Sequence, residues 1–382
     1  MRLSYKYRIY PNKSQEEALL KSFNFCRFLY NCALEERISY YKTYKESRSC
    51  YDQINTLKEV KDLFPEAKSI FSQTLQNVLQ RVDTAYSNFF RRVKNKDKKV
   101  GFPRFKGKGR LNSITFPQCN LKRGGAKLLL NSNKKNLKNS KIKIKGVGEV
   151  RIKYHRPFEG ICKQVTIKKE NDQYFAILSC DQVPLITLPK TNKKVAIDLG
   201  LNSFITTDKN VKFNHPKPYK TFKDKIAVLN RKLALKKRGS KNRDKAKIQL
   251  AKTYKKVSNI RDHFLHQTAN KLIKDNDKII MEDLNIKSMM ENKNSIVNKG
   301  NVQDVSWEKF SHMLSYKAER AGRIIVKVNP RNTSKMCCWC SKIKDNLTLK
   351  DRIYICKYCH LQIDRDYNAA INISRLEPSL VL

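Results

Sequence analysis

Four cysteines near the carboxyl end of the sequence have the spacing of a metal site. They form two Cys-x-x-Cys pairs separated by 15 residues: Cys337, Cys340, Cys356 and Cys359. Each pair directs two thiolates at one ion, and two pairs complete the tetrahedral coordination that Zn²⁺ prefers. Because four thiolates leave no open position, we expect a structural zinc that stabilises a ribbon too small to fold alone. Cys338 breaks the spacing, while His360 is an alternative to Cys359 as a ligand.

Three carboxylates form a second candidate site. Asp198 lies within the apolar run VAIDLG, Glu282 ends the apolar run KIIME, and Asp366 begins a predicted helix. Acids at the ends of buried strands are costly unless a cation meets them. Three acids from separate elements can hold two divalent ions about 4 Å apart, an arrangement suited to phosphodiester hydrolysis. Two Mg²⁺ ions fit this site because Mg²⁺ prefers oxygen ligands.

Asp283 and Asp364 are rival acids. On the strand that ends at Glu282, residues 280 and 282 share one face, so Asp283 points to the other face. Asp364 lies just ahead of the predicted helix and is expected to cap that helix or to end the ribbon. Each acid taken singly also fits a cap or a surface charge, so the catalytic prediction rests on the trio.

The charge of the chain indicates a polyanionic partner. The sequence has 382 residues, with 81 Lys and Arg against 34 Asp and Glu, and its formal net charge is +47. Such a chain repels itself unless it neutralises a nucleic acid or an anionic membrane. We expect no membrane partner, since no apolar run approaches roughly 18 residues and no signal peptide or lipidation motif is present. The alternative is a soluble, strongly charged surface without a polyanion.

The elements that must position these residues begin with a strand and a helical stretch. Residues 1–10 alternate between apolar and polar types, which predicts a half-buried strand. A capping box of Ser14 and Glu17 predicts the start of a helix, and helical spacing continues to about residue 98. Short β-like runs between 110 and 190 predict a small barrel, which the N-terminal strand would join.

Beyond residue 190 the pattern is that of an α/β domain. KKVAIDLGLNSFITTD predicts two strands joined by a tight turn, and a basic helical region follows at 222–276. KIIMEDL and RIIVKVNP predict two more strands with a helix between them. The cysteine cluster interrupts the domain, and DYNAAINISRL predicts its last helix.

The order of these motifs resembles a known family. IDLGLNSF, MEDL, the paired Cys-x-x-Cys ribbon and DRDYNAAINI resemble the RuvC-type nuclease half of the TnpB family, whose members are encoded by transposons and are related to type V CRISPR effectors. YRIYPNKSQE, RFLYN, FPRFK, LNRKLALKKRGSKNR, SNIRDHFLHQ and VNPRNTSKMCCWC follow the usual succession of the family, so the resemblance covers essentially the whole chain.

The resemblance implies an RNA-guided DNA endonuclease of a transposable element. Such a protein uses a guide RNA, reads a short flanking motif and cuts DNA at one RuvC-like site. By position, Asp198, Glu282 and Asp366 match the catalytic acids of the family. Asp366 is matched rather than Asp364, because it directly precedes the YNAA motif. The four cysteines of the two pairs match the zinc ligands.

The resemblance also implies a multidomain fold of α+β and α/β parts. An N-terminal wedge-type β-barrel would comprise 1–12 and 99–190, with a helical recognition insertion at 13–98. An RNase H-like (RuvC) α/β nuclease domain would comprise 191–332 and 363–382, with the zinc ribbon inserted at 333–362.

The expected partners are a guide RNA, double-stranded DNA and the displaced single strand. Basic runs at 91–110, 134–145 and 231–247 would contact phosphates, with Arg104, Lys106, Arg238, Lys241 and Arg243 as candidates. Gln76 and Gln80 are candidates for reading the flanking motif, because an amide can pair with an adenine edge. Without a secretory signal, the six scattered cysteines indicate a reducing cytoplasm. We expect a monomer bound to RNA, associated with a prokaryotic nucleoid.

Two alternatives remain open from the sequence. The first is a transposase that itself breaks and joins DNA, for which the sequence displays no covalent tyrosine arrangement. The second is a zinc-ribbon regulator that binds nucleic acid without cleaving it. That regulator would keep the basic surface and the ribbon but would need no trio of acids.

Overall fold

The computed structural model describes residues 1–97, 100–120, 124–130, 139–284, 306–348 and 351–377. The chain divides into two units, Met1–Pro184 and Leu185–Leu382, and each has its own hydrophobic core. The first unit combines an antiparallel sheet with helices, and the second combines a mixed sheet with helices on both of its faces. The fold is therefore a multidomain mixture of α and β elements, as expected.

One seven-stranded antiparallel sheet forms the first unit. Its strands are β1 (Leu3–Tyr10), β2 (Ser113–Phe116), β3 (Ala126–Leu129), β4 (Lys141–Ile144), β5 (Gly148–Ile152), β6 (Ile161–Glu170) and β7 (Gln173–Asp181). Their order is β2-β6-β7-β1-β5-β4-β3, so β1 lies inside the sheet between β7 and β5. A parallel bridge between Cys119 and Ala126 brings the two ends of the sheet together. The sheet is therefore nearly closed.

Helices of the first unit occupy the stretch between β1 and β2. They are α1 (Lys13–Tyr44), α2 (Cys50–Asn55), α3 (Leu57–Leu63), a 3₁₀ turn (Pro65–Ser69) and α4 (Ser72–Lys94). The predicted capping box of Ser14 and Glu17 is wrong. Asn12 is the N-cap, since its side chain accepts from the Gln15 N–H and the Gln15 side chain accepts from the Asn12 N–H. The predicted pair of reciprocal hydrogen bonds thus forms two residues earlier in the sequence, where Asn12 follows Pro11 with an extended backbone and is the cap.

A five-stranded mixed sheet forms the second unit. Its strands are β8 (Lys194–Asp198), β9 (Ile205–Thr207), β10 (Lys212–Phe213), β11 (Lys278–Glu282) and β12 (Ile324–Val328). Their order is β10-β9-β8-β11-β12. Strands β8, β11 and β12 are parallel, while β9 and β10 are added antiparallel to β8. The carboxyl ends of β8 and β11 consequently meet at one edge of the sheet.

Helices and a small two-stranded sheet complete the second unit. They are α5 (Pro218–Ala234), α6 (Lys241–Asp275), α7 (Trp307–Ala321), β13 (Ile353–Ile355), β14 (Gln362–Asp364) and α8 (Arg365–Arg375). The basic helical region thus consists of two helices. The first ends at Ala234, and Ser240 caps the second after a turn that contains Gly239, whose φ is +84°. No helix within the described ranges is long and apolar enough to cross a membrane.

The two faces of the second sheet pack against different helices. Val195 and Ile197 of β8 belong to the core that contains α6 and α7. Ala196 of β8 and Ile280 of β11 belong to the opposite face, where Ile373 of α8 covers them. Because side chains alternate along a strand, the residues at positions 198 and 282 belong to the α8 face.

We predict that Phe310→Ala destabilises the second unit by about 3–5 kcal/mol, because it removes a fully buried ring and leaves a cavity. The Phe310 ring packs edge-on against Phe204, with centroids 5.0 Å apart. Both tryptophans, Trp307 and Trp339, lie in this unit, so their fluorescence during denaturation reports its unfolding. Leu235→Ala is the control, since Leu235 is 85% exposed and its loss should change stability by less than about 0.5 kcal/mol. Equal unfolding midpoints for the two variants would contradict the prediction.

Candidate functional site

The structure brings the four paired cysteines together. The Sγ atoms of Cys337 and Cys359 are 3.6 Å apart, and those of Cys340 and Cys356 are 3.5 Å apart. All four sulfur atoms lie within 4.8 Å of one another. A tetrahedral zinc with bonds of about 2.3 Å requires sulfur atoms about 3.8 Å apart, so this group fits the ion.

Two tight turns aim the thiolates inward. The Cys337 N–H donates to the Lys342 carbonyl, and the Cys356 N–H donates to the Leu361 carbonyl. Each bond closes a turn whose first and fourth residues are cysteines. Tyr354 lies fully buried beside this group and donates its hydroxyl to the Lys335 carbonyl, so the ribbon has one aromatic side chain as its core.

Cys338 and His360 lie outside the sulfur group. Cys338 is buried, and its N–H donates to the Asn368 Oδ1 atom of α8 at 2.9 Å. His360 has a φ of +57° and completes the turn after Cys359. The arrangement therefore favours the paired cysteines as the ligand set.

Asp198 and Glu282 are neighbours at the carboxyl ends of two parallel strands. Met281 of β11 is in register with Ile197 of β8, so the next residue of each strand lies at the same level. Asp198 is 9% exposed and Glu282 is 7% exposed. Two carboxylates are thus held side by side and largely away from water.

Asp366 reaches the same place from the first turn of α8. A Cβ atom built on Gly200, two residues beyond Asp198, would lie 3.6 Å from the Asp366 Oδ2 atom. The same atom would lie 2.7 Å from the Ser203 carbonyl oxygen, so the loop after β8 requires glycine at this position. The loop therefore passes close under the third carboxylate.

Burial raises the pKa of all three acids, and repulsion from the other two adds to the rise at Asp198. Burial, followed by the charges of Glu282 and Asp366, raises the pKa of Asp198 well above its ordinary value. Burial raises the pKa of Glu282, and it also raises that of Asp366 with a contribution from Asp364. A divalent cation would relieve this repulsion, and the donor set of carboxylate oxygens is one that Mg²⁺ accepts.

The spacing of the acids differs from that of the cysteines. Within the described ranges, the cysteine group alone has three or more His, Cys, Asp or Glu ligand atoms all within 4.8 Å of one another. The three carboxylates are spread more widely, which suits a pair of ions about 4 Å apart better than a single ion.

The rival acids have structural roles, as expected. Asp283 is exposed and pairs with Lys327 at 3.0 Å. Asp364 ends β14 and is the N-cap of α8, where its side chain accepts from the Tyr367 N–H at 3.0 Å. Its other oxygen pairs with Lys212 at 2.7 Å.

Thr333 is a residue of the acid site that the sequence reasoning missed. It is 2% exposed, and its hydroxyl donates to Glu282 Oε1. This bond opposes the rise in the pKa of Glu282 and orients its carboxylate. No local pattern marks a threonine 51 residues from its partner, so the sequence offers no signal for this contact.

Asn368 and Asn372 were also missed, although the sequence carries a signal for them. Both are fully buried on α8, four residues apart, beside apolar Ala369. Asn368 donates to the Met336 carbonyl at 2.8 Å, and Asn372 donates to the Thr333 carbonyl at 2.9 Å. Asparagines on the apolar face of a helix predict buried hydrogen-bond partners. Here those partners join the base of the ribbon to the helix that carries Asp366.

The seven candidate nucleic-acid contacts divide between the two units. Gln76 is half-buried and Gln80 is exposed on α4, and Arg104 is exposed in the segment that follows. The Lys106 ammonium lies 5.2 Å from the centre of the Tyr30 ring, so packing already engages part of this side chain.

The second unit holds the other three candidates. Arg238 and Lys241 are exposed at the α5–α6 turn. Arg243 donates to the carbonyls of Leu233 and Lys236, both at 2.8 Å, and so caps the end of α5. Part of the basic run at 134–145, residues 134–138, lies outside the described residues.

Comparison with known families shows which proteins the chain resembles. A family model described as "Probable transposase" matches residues 165–293 and includes Asp198 and Glu282. A "Cas12f1-like, TNB domain" model matches residues 307–373 and includes the cysteines and Asp366. A TnpB-like protein of Acanthamoeba polyphaga mimivirus, L79, is 25% identical, with 98% of this chain and 73% of the relative aligned. The chain is similar to the TnpB family. A third model, "Helix-turn-helix domain", matches residues 1–46, which here form β1 and α1.

Other relatives align with this chain over nearly its whole length. A protein of Streptomyces pristinaespiralis, named "Putative RNA-guided DNA endonuclease", is 27% identical, with 97% of this chain and 88% of the relative covered. The Escherichia coli protein InsQ, which carries the same description, is 25% identical, with coverage of 97% and 91%.

Two solved structures share the fold. A chain from a "Cas12f1-sgRNA-target DNA complex" has a TM-score of 0.54 at 16% identity, covering 94% of this chain and 82% of that one. CasPhi-2 (Cas12j) bound to crRNA has a TM-score of 0.55 at 10% identity, covering 98% of each chain. At these identities, the likeness is one of fold alone.

We predict one zinc ion per chain in the purified protein, measured by elemental analysis. Cys340→Ser should lose the zinc and lower the unfolding temperature of the second unit, because the ribbon has little apolar core of its own. Cys338→Ser is the matched control, since this thiol is a buried neighbour outside the sulfur group, and it should retain the zinc. Zinc retained by Cys340→Ser, or lost from Cys338→Ser, would rule out the ligand set.

A second prediction concerns the repulsion among the acids. Asp198→Asn removes one of three clustered acids, so in chelator its thermal midpoint should rise by about 2–4 °C, the shift produced by about 1 kcal/mol. Added Mg²⁺ should raise the midpoint of the wild type more than that of the variant. The exposed Asp283→Asn is the control and should match the wild type in both buffers. A lower midpoint for Asp198→Asn in chelator would show that the acids do not repel one another.

Proposed function

We propose that this chain is a Mg²⁺-dependent, RNA-guided DNA endonuclease of a transposable element, which cleaves next to a short flanking motif. The observation that carries the proposal is the convergence of two buried acids, Asp198 and Glu282, with the half-buried Asp366, in a chain with a net charge of +47. Buried acids that repel one another are costly, and a strongly basic surface needs a polyanion. A metal-dependent nuclease accounts for both features together.

The chemistry would take place at the shared edge of β8 and β11. When bound there, Mg²⁺ would supply a Lewis acid and a water of lowered pKa for phosphodiester hydrolysis. Asp198 and Glu282 would hold it from adjacent strands, and Asp366 would complete the site from α8. Thr333 would keep the Glu282 carboxylate in one orientation through its hydroxyl.

The topology of the second unit supports an RNase H-like, RuvC-type assignment for 191–332 and 363–382. The antiparallel β9 and β10 are added to one side of β8, and the parallel β11 and β12 to the other. The acids lie at the carboxyl end of this sheet and beneath α8. The ribbon at 333–362 lies between β12 and α8 and would be a zinc-stabilised insertion.

The relatives support RNA guidance for this chain. Two of them carry the name RNA-guided DNA endonuclease and align over nearly all of it. The nearly closed sheet of the first unit would serve as the wedge, with α1 to α4 as the recognition insertion. Gln76 and Gln80 would face the flanking motif, and the basic runs would contact the phosphates of guide RNA and DNA.

The buried acids also discriminate among the alternatives. A regulator that binds without cleaving has no use for three clustered carboxylates whose pKa values are raised by burial. A strand-joining transposase would use the same acids, so its products must be tested directly. That test matters because one matching family model is described as a transposase.

We predict cleavage of a plasmid that matches the guide, in Mg²⁺, by protein purified with its own RNA. Sequencing that RNA identifies the guide, and a randomised flank identifies the motif. Asp198→Asn, Glu282→Gln and Asp366→Asn should each reduce the cleavage rate by about 10³-fold or more, since each removes a metal ligand. Asp364→Asn should stay within about tenfold of the wild type, because it removes only the ion pair with Lys212 and asparagine can still cap the helix.

Controls separate chemistry from assembly. All four variants should co-purify with the same amount of RNA, and Gln76→Ala should change the preferred flanking bases without changing the requirement for Mg²⁺. If Asp364→Asn abolishes cleavage while Asp366→Asn does not, the two acids have exchanged roles. If wild type and Asp198→Asn cleave equally, the proposed nuclease site is wrong, and joined products would favour the transposase.

A further inference from the structure

Four aromatic rings form a continuous patch at the end of α4. Tyr86, Phe89 and Phe90 lie on this helix, and Phe102 lies in the segment that follows it. The ring centroids of Phe89 and Phe102 are 5.3 Å apart, those of Phe89 and Phe90 are 5.1 Å apart, and those of Tyr86 and Phe102 are 5.6 Å apart. We call these four residues the aromatic patch.

Of the aromatic patch, only Tyr86 packs against the core of the first unit. The core face of α4 consists of earlier residues, such as Leu75, Leu79 and Val82, which are almost fully buried. In contrast, Phe90 is 60% exposed and Phe102 is 48% exposed. Large rings that contact one another and still face water gain little from folding, so the patch marks a binding surface.

Cations surround the aromatic patch. Eight of them are described in the surrounding segment: Arg91, Arg92, Lys94, Lys96, Arg104, Lys106, Lys108 and Arg110. Asp97 is the one acid between residues 91 and 110. None of these eight cations forms an ion pair with another described residue. The charges therefore stay available to an external anion.

We propose that the aromatic patch is a stacking platform for unpaired nucleotides. Exposed rings can stack on bases of any identity, and surrounding cations can hold the phosphates that link those bases. The bases of a duplex are already stacked on one another, so the platform selects single-stranded over double-stranded nucleic acid. The charge excess argues against a protein partner, since no balancing set of acids accompanies the rings. The proposal rests on the proposed function, because it assigns the guide RNA or the displaced strand a place on the protein.

The test is single-strand binding by the full-length chain after its RNA is removed at high salt. The probes are labelled oligothymidylate and oligouridylate of about 20 nucleotides and a duplex of the same length, followed by fluorescence anisotropy. The DNA and RNA probes distinguish the two sources of an unpaired strand. The variant is Phe90→Ala with Phe102→Ala, and Tyr51→Ala is the control, since Tyr51 is a 72% exposed ring in the same unit, outside the aromatic patch.

We expect the double alanine variant to bind at least one single-stranded probe about tenfold more weakly or worse, with duplex binding changed by less than about twofold. The dependence of its affinity on salt should keep the slope of the wild type, because no phosphate contact is lost. Phe90→Tyr with Phe102→Tyr should retain binding, whereas the corresponding leucine pair should not. An unchanged melting temperature would exclude a folding defect.

Three results would overturn the platform. They are unchanged single-strand affinity in the alanine variant, an equal loss of duplex binding, and full binding by the leucine variant, which would indicate apolar packing alone. None of these results bears on the acid site, since they measure the binding of an oligonucleotide, whereas the acid site is tested by cleavage that depends on Asp198. The two proposals can therefore fail separately.

Discussion

Keeping three carboxylates away from water is the constraint around which the second unit is arranged. Parallel pairing of β8 with β11 places Asp198 beside Glu282, and α8 then covers that face and adds Asp366. Each acid has a pKa raised by burial, so the charged cluster opposes folding until a cation joins it. Two local features fit the same cluster. Glycine at position 200 lets the loop pass close to Asp366, and the Thr333 hydroxyl donates a hydrogen bond to Glu282.

The ribbon and the acid site depend on one helix. Asn368 and Asn372 tie α8 to the backbone at the base of the ribbon, and Asp364 both ends a ribbon strand and caps that helix. At the far end, Glu377 pairs with lysines at the starts of β8 and β11. A zinc ion bound by the four cysteines would therefore have a consequence beyond the ribbon. A ribbon that unfolds releases one end of the helix that positions Asp366.

The role proposed for the first unit is a different one, which is to hold a polyanion. Charge alone attracts phosphates without distinguishing single strands from duplexes, and many of its basic side chains are simply exposed. Exposed rings add a surface on which unpaired bases can stack, whereas phosphates cannot. In the second unit, by contrast, Arg243 caps a helix. A position within a basic run is therefore not enough to identify a residue as a nucleic-acid contact.

Local patterns were enough to predict the elements and the candidate ligands of both sites. Two Cys-x-x-Cys turns each bring a pair of sulfurs together within four residues, and the alternation of KIIME placed Glu282 and Ile280 on one face. The capping box was misplaced by two residues, because two overlapping patterns compete and the backbone after Pro11 selects one. Only the tertiary structure shows three further features. They are the hydrogen bond from Thr333 to Glu282, the hydrogen bonds from Asn368 and Asn372 to the base of the ribbon, and the aromatic patch. Each of these features depends on contacts between separate elements. The spacing of residues along the chain does not predict which elements will pack together.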